Sequence, residues 1–217
     1  MDKIVITGGA GFIGSHIAQA LLDQGREVVI VDNFDPFYPE RLKRRALSGL
    51  RGNARLVEHD IRDREKMAAT IRDARPAAVV HLAAKAGVRP SLADPLGYMD
   101  VNVSGTASVL EAVRDAGVPR FVFGSSSSVY GSRSNPPFAE TDLIDSPLSP
   151  YAASKAAGEL LVRTWHNLYG TETVSLRFFT VCGPRQRPDL AIHTFSRLML
   201  AGKPIPFFGD GQTFRDY

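Results

Sequence analysis

The 217-residue chain carries one cysteine, Cys182, and no block of like charge, internal repeat or low-complexity linker. A lone thiol excludes an internal disulfide and suits a reducing, cytoplasmic setting. No apolar run reaches the roughly 18 residues that a membrane-crossing helix needs. The opening MDKIVITGGAG starts a strand pattern almost at once, without the charged and apolar succession of a secretory leader. Lysine and arginine total 26 against 23 acidic residues, and the net charge of +3 is dispersed. Without a basic stripe, nucleic acid is a poor partner, whereas small anionic ligands remain compatible with the charge. What remains is ordinary globular material, 44% hydrophobic and 23% charged, sufficient for one sizeable core.

Alternation is what the chain does have. Apolar runs of strand length lie at residues 3–7, 27–32, 55–59, 77–82, 120–125, 173–179 and 205–208. Helical patterns at 11–24, 40–49, 64–74, 98–116, 150–169 and 192–201 fall between and after them. The runs are rich in Val, Ile and Phe and mostly continuous, as strands covered on both faces should be. Gly25, Gly117 and Gly170 each follow a helical pattern, where a left-handed terminating residue belongs. This order predicts an α/β fold, a doubly wound parallel sheet with helices on both faces. Polar loops at 33–39, 133–150 and 183–189 interrupt it.

The first run passes through Thr7-Gly8-Gly9-Ala10-Gly11-Phe12-Ile13-Gly14 into an amphipathic helix. Glycines there permit a tight turn, let a pyrophosphate approach the backbone and let the helix pack on the strand. A plain structural turn would use the same residues. The strand before and the helix after select the phosphate reading, with the free N–H groups and positive dipole end of the helix facing the phosphates. Asp32 ends the second run, 18 residues after Gly14, where an acid binds the adenosine ribose hydroxyls. No Arg directly follows it, which favours NAD over NADP. Asp60, in HDIRD, is placed either to meet the adenine edge or to cap the next helix.

The segment SPYAASK puts Tyr151 and Lys155 four residues apart at a helix start, on one face. A free tyrosine, with a pKa of about 10, is a poor base near neutrality, and a neighbouring cation stabilises its phenolate. A surface tyrosine beside an exposed lysine is the alternative. Placement downstream of a dinucleotide fold, with serines at the preceding strand end, makes the pair specific. His81, at a strand end, reads as a packed structural histidine rather than a catalyst or metal ligand, and no metal is expected.

Taken in order, TGGAGFIG, HLAA, GSSSSVYG, YAASK and RFFTVCGPRQ resemble the extended short-chain dehydrogenase/reductase family of nucleotide-sugar epimerases, dehydratases and decarboxylases. The resemblance covers the whole chain. It implies a Rossmann-type sheet, tightly held NAD and the catalytic set Ser126, Tyr151 and Lys155, with Lys155 lowering the Tyr151 pKa. It implies cofactor contacts from Gly8, Gly11, Phe12, Ile13, Gly14, Asp32 and Asn33. Asp60, Ile61, Leu82, Ala83, Ala84 and Asn102, together with Tyr151 and Lys155 themselves, complete that set. Dehydratases of the family resemble S-T-D-E-V-Y-G at the serine run and eliminate water with the acid pair, and decarboxylases keep a Glu before VYG. Here Ser127 and Ser128 stand at those positions, which favours reversible oxidation at C4 and therefore an epimerase.

GVR after the fourth run, VDNFDPFYP after the second and RFFTVCGPRQRPDLA after the sixth resemble the uronate 4-epimerase subgroup. The implied substrate is UDP-glucuronate or UDP-galacturonate. Its carboxylate needs hydroxyl or cationic donors, for which Ser127, Ser128, Thr180, Arg187 and Arg89 are candidates, Ser126 holding the C4 oxygen. The resemblance assigns Arg215 to the nucleotide diphosphate. It implies a dinucleotide domain at 1–180 and, at 181–217, the start of a substrate lobe that continues further in relatives. On that basis the chain is expected to bind NAD while its turnover is impaired. A homodimer through 98–116 and 150–169 is also implied. UDP-glucose/galactose 4-epimerisation is the alternative within the enzyme class, and a non-catalytic NAD-binding protein or inactive fragment the alternative outside it.

Overall fold

A computed structural model of the chain describes residues 2–133, 137–206 and 210. Six parallel strands form one sheet in the order β3-β2-β1-β4-β5-β6. They are β1 Lys3–Thr7, β2 Glu27–Asp32, β3 Ala54–Glu58, β4 Ala78–His81, β5 Arg120–Gly124 and β6 Glu172–Leu176. Helices α1 Phe12–Asp23, α2 Glu40–Ser48 and α3 Arg64–Ala74 connect the first four strands. The later helices are α4 Val88–Ala93, α5 Pro95–Met99, α6 Gly105–Asp115, α7 Pro150–Tyr169 and α8 Ala191–Leu200. This is the doubly wound, Rossmann-type order that the alternation predicts.

Continuous apolar strands follow from the two buried faces. Along β1, Ile4 and Ile6 pack with Val28, Ile30, Ala18 and Leu22 on one side of the sheet. Val5 points the other way, to Val29, Val79, Met67, Ile71, Val109 and Phe121. Alternate side chains of a strand face opposite ways, so a strand between two helical layers must be apolar throughout. Burying each such aliphatic side chain contributes about 1.5–3 kcal/mol. Gly25, Gly117 and Gly170 have φ of +76°, +62° and +72°, the left-handed turns read from their positions.

Four elements differ from the sequence reading. The helix expected over 98–116 is broken into α5 and α6 by a π-helical turn, Asp100–Ser104. Asn102, inside that turn, spends its side-chain amide on the backbone of Lys85; single π turns of this kind are frequent at functional sites. The sixth strand leaves the ladder at Leu176 rather than 179, and its continuation bonds the serine run instead, Ser127 N–H to the Phe178 carbonyl at 2.8 Å. Of the seventh run, Ile205 and Pro206 lie outside any strand, and residues 207–208 fall outside the described residues. Short α4 lay unseen in the loop after β4. Among the described residues no helix is long and apolar enough to cross a membrane.

Candidate active site

The carboxyl ends of all six strands open on one cleft of about 690 Å³. It lies where the strand order reverses, between β1 and β4, the place where this architecture binds ligands.

At its centre is the glycine turn. Gly8 has φ +71°, and a Cβ added there would sit 2.6 Å from the Ala83 nitrogen. A Cβ on Gly14 would lie 2.4 Å from the Gly8 carbonyl oxygen. Helix α1 starts from Gly11, which has no side chain to occupy the helix terminus. Its first-turn amides, at Phe12, Ile13 and Gly14, therefore face the cleft. A bare helix N-terminus over a collapsed turn fits a pyrophosphate.

One end of the cleft suits an adenosine. Asp32 is buried, and its carboxylate accepts from the Ala10 N–H at 3.1 Å and the Phe34 N–H at 2.9 Å. The Asn33 amide donates to Asp60 at 2.9 Å. The Arg62 guanidinium holds the Asp60 carboxyl down at about 2. Asp60 is not the helix cap, since Asp63 accepts from Lys66 N–H at the start of α3. Ile61 lines the same end. Sequence reading missed Lys43, whose buried ammonium lies 3.8 Å from Asp32 and donates to the Asp35 carbonyl. It is one of four basic residues in ERLKRRALS, and no pattern separates it from the rest. Tyr38 was also missed; burial, aided by Asp32, pushes its phenol up to about 12.

At the other end α7 presents Tyr151 and Lys155. Ser149 caps the helix, its hydroxyl accepting from Ala152 N–H at 3.1 Å, and Pro150 occupies the first turn. Lys155 is 5% exposed and donates to the Gly124 carbonyl at 2.7 Å. Burial lowers its pKa to about 8. Tyr151 is raised by burial, opposed by a hydrogen bond with Ser126 and by the charge of Arg187. The Lys155 ammonium reaches across to β5, and the positive charge that opposes the burial of the phenol comes from Arg187. His81 is fully buried between Thr7 and Thr106 and held neutral, near 3, by that burial.

The serine run divides its work. Ser126 accepts from Ser128 N–H at 3.1 Å and caps the 3-10 turn Ser127–Tyr130. Ser127 and Ser128 line the cleft, as do Leu82, Ala83, Ala84 and Thr180. Arg187 lines it too, but its guanidinium is held by both carboxylate oxygens of Asp189 at 3.0 and 2.7 Å. Asn102 does not line the cleft. It clasps the loop after β4, accepting from Lys85 N–H at 2.8 Å and donating to the Lys85 carbonyl at 3.0 Å. Arg89 is exposed on α4 and stands apart from the cleft, although Val88 and Pro90 line it. Arg215 lies outside the described residues.

A second clip was also unforeseen. The loop that carries Arg187 is tied to α1, with Arg185 donating to the Ser15 carbonyl at 3.2 Å and to His16 Nδ1 at 2.7 Å. His16 Nε2–H donates in turn to the Pro184 carbonyl at 2.9 Å. Partners 168 residues apart leave no trace in local sequence. Among the described residues no cluster of His, Cys, Asp or Glu could hold a metal ion.

The parallel sheet, the glycine cradle and the Ser-Tyr-Lys end define a dinucleotide-dependent enzyme of the short-chain dehydrogenase type. The chain belongs to the NAD dependent epimerase/dehydratase family, matching it over residues 4–217. It is 42% identical over 219 residues to a UDP-glucuronate 4-epimerase of Thermodesulfobacterium geofontis, covering 100% of this chain and 68% of that protein. Identity to UDP-glucuronate 4-epimerase 1 of Arabidopsis thaliana is 43% over 209 residues, covering 95% and 48% of the two. Among solved structures, UDP-glucuronic acid 4-epimerase from Bacillus cereus, in complex with UDP-glucuronic acid and NAD, overlays with a TM-score of 0.91. That pair is 40% identical and covers 99% of this chain and 68% of the other. The chain thus spans about half of the plant relative and 68% of the bacterial ones.

Proposed function

We propose that the chain carries the NAD-binding and catalytic part of a UDP-glucuronate 4-epimerase. The observation that carries this is the reaction end of the cleft. Tyr151, Ser126 and Lys155 converge there, and serines occupy the positions where water-eliminating relatives would need a carboxylic acid pair. The glycine cradle, Asp32 and Asp60 are the residues that would hold NAD. When bound, NAD supplies a reversible hydride acceptor at the sugar C4.

The side chains do the rest. Tyr151 is placed to take the C4 hydroxyl proton and to return it, and Ser126 to hold the C4 oxygen meanwhile. Ser126 and Arg187 both pull the phenol toward ionisation against its burial. Lys155, near 8, stays mostly charged at neutral pH and keeps the nicotinamide end cationic. Ser127, Ser128 and Thr180 offer hydroxyl donors to a uronate carboxylate, and Arg187 offers charge if it leaves Asp189. The segment from 181 onward belongs to the sugar-binding side in this reading. A cytoplasmic setting and a homodimer through α6 and α7 complete it. The single thiol supports the first, and the exposed Leu160 and Leu168 of α7 support the second.

Two measurements test it. NAD binding is followed by titration, and UDP-glucuronate or UDP-glucose is then incubated with the protein and the products resolved by chromatography. Formation of UDP-galacturonate, abolished by Ser126→Ala and Tyr151→Phe, supports the assignment. Faster conversion of UDP-glucose favours the neutral-sugar alternative. NAD binding without turnover of either sugar favours a non-catalytic NAD-binding protein or an inactive fragment.

A further inference from the structure

Three consecutive residues at the end of β5 meet one face of α7. Lys155 donates to the Gly124 carbonyl at 2.7 Å, Glu159 accepts from the Ser125 hydroxyl, and Ser126 lines the cleft with Tyr151, whose phenol it draws toward ionisation. Residues 151, 155 and 159 are spaced by four, so one helical face supplies all three. Glu159 has no part in the chemistry described above, yet its side chain is only 10% exposed.

A buried carboxylate needs a partner, and here it has one from the edge of the sheet. Arg177, just past β6, meets Glu159 with Nε at 3.1 Å from Oε1 and Nη2 at 3.0 Å from Oε2. The Arg177 side chain is 15% exposed, donates to the Glu140 carbonyl at 3.2 Å and lies 4.9 Å over the Tyr130 ring. Buried ion pairs add little net stability over apolar packing, and in some proteins they serve to specify one geometry. The geometry at stake here is that of the serine run. Ser125 N–H also bonds the Leu176 carbonyl at 2.9 Å, so this residue is fixed by both backbone and side chain. Its neighbour Ser126 is tied locally, its hydroxyl accepting from Ser128 N–H at 3.1 Å and its carbonyl from Val129 N–H at 3.2 Å.

We propose that Glu159, locked by Arg177, is a positioning residue that grips Ser125 and thereby places the Ser126 hydroxyl against Tyr151. Ser125 is then part of the working site and more than the end of a strand. The role rests on the reading in which Ser126 and Tyr151 do the chemistry, but the contact itself can be measured without substrate.

The test puts 3-fluorotyrosine at position 151 of the NAD-free chain and follows its 19F resonance against pH. Loss of the Ser126 hydrogen bond in Ser126→Ala raises the titration midpoint. Ser125→Ala and Glu159→Gln should raise it in the same direction by a smaller shift, and the Ser125→Ala/Ser126→Ala double variant no further than Ser126→Ala alone. In turnover assays both single variants should lose roughly tenfold in kcat with KM unchanged, the signature of a misplaced catalytic hydroxyl. Ser125→Ala removes one hydroxyl and keeps the Glu159–Arg177 pair, so it answers the question if Glu159→Gln does not fold. Midpoints unchanged in Ser125→Ala, or shifts that add in the double variant, overturn the proposal. A chain that turns over no sugar yet shows the coupled shifts would count against epimerase activity in this chain and leave the positioning role standing.

Discussion

Replacing Lys155 with methionine should leave the NAD-free chain as stable as the parent, or more so, while removing its activity. Lys155 is 5% exposed, with its ammonium 5.0 Å over the Phe123 ring and 2.7 Å from the Gly124 carbonyl. Burial takes its pKa from 10.5 to about 8. That gap corresponds to roughly 3 kcal/mol held against the folded state while the group is charged. Methionine fills similar space without a charge. Against the gain stands the charge-assisted bond to Gly124, worth about 1.5–3 kcal/mol. The two offset, so at pH 7 the variant should lie between about equal stability and 2 kcal/mol more stable. Removing a large buried side chain ordinarily costs about 2–5 kcal/mol.

The pH dependence separates the two contributions. Below pH 8 folded and unfolded chains both bind the Lys155 proton, so the difference between parent and variant is flat. Between 8 and 10.5 only the unfolded chain keeps it. The parent therefore gains stability by about 1.4 kcal/mol per pH unit over that window, and any advantage of the variant shrinks. Urea unfolding of both proteins at pH 7, 8, 9 and 10 measures this. A parent more stable by over about 1 kcal/mol at pH 7, with a difference that stays constant to pH 10, would refute the claim that Lys155 is held in a desolvating site.

Gly14→Ala would set a Cβ 2.4 Å from the Gly8 carbonyl oxygen and 2.7 Å from the Gly9 Cα, contacts that only backbone movement relieves. Overpacking of this kind costs about 1–3 kcal/mol. It should weaken NAD binding by roughly 10- to 100-fold by calorimetry, since the strained turn is the phosphate cradle itself; unchanged affinity would remove the turn from the binding site. His16→Ala deletes the acceptor of Arg185 and the donor to Pro184, leaving that loop fewer ties to α1. Trypsin should then cut after Arg185 roughly tenfold faster, read by mass spectrometry, with other sites unaffected. An unaltered rate would show that the clip does not hold the loop.

The sequence by itself determined the alternation of strands and helices, the glycine turn, Asp32 at its strand end and the Tyr151–Lys155 spacing. All of these are local. A continuous apolar run reports two buried faces, a glycine at a fixed offset reports a turn that tolerates no Cβ, and a spacing of four reports a shared helical face. Resemblance supplied the chemistry that local physics does not, including Ser126 as partner to Tyr151.

Tertiary structure decided where the charges go. Lys155 reaches the Gly124 carbonyl of β5 and Arg187 pairs with Asp189, because burial and strand position choose the partner of a long flexible cation. Asn102, in the π-helical turn, holds the Lys85 backbone 17 residues away. Lys43 beside Asp32, Glu159 with Arg177, and His16 with Arg185 join segments that only the closed sheet brings together. Such pairs have no period and no spacing in the sequence. Buried charges such as Lys43 and Glu159 must find an opposite one, His16 and Arg185 share a hydrogen bond at the surface, and only the folded chain determines which partner is near enough.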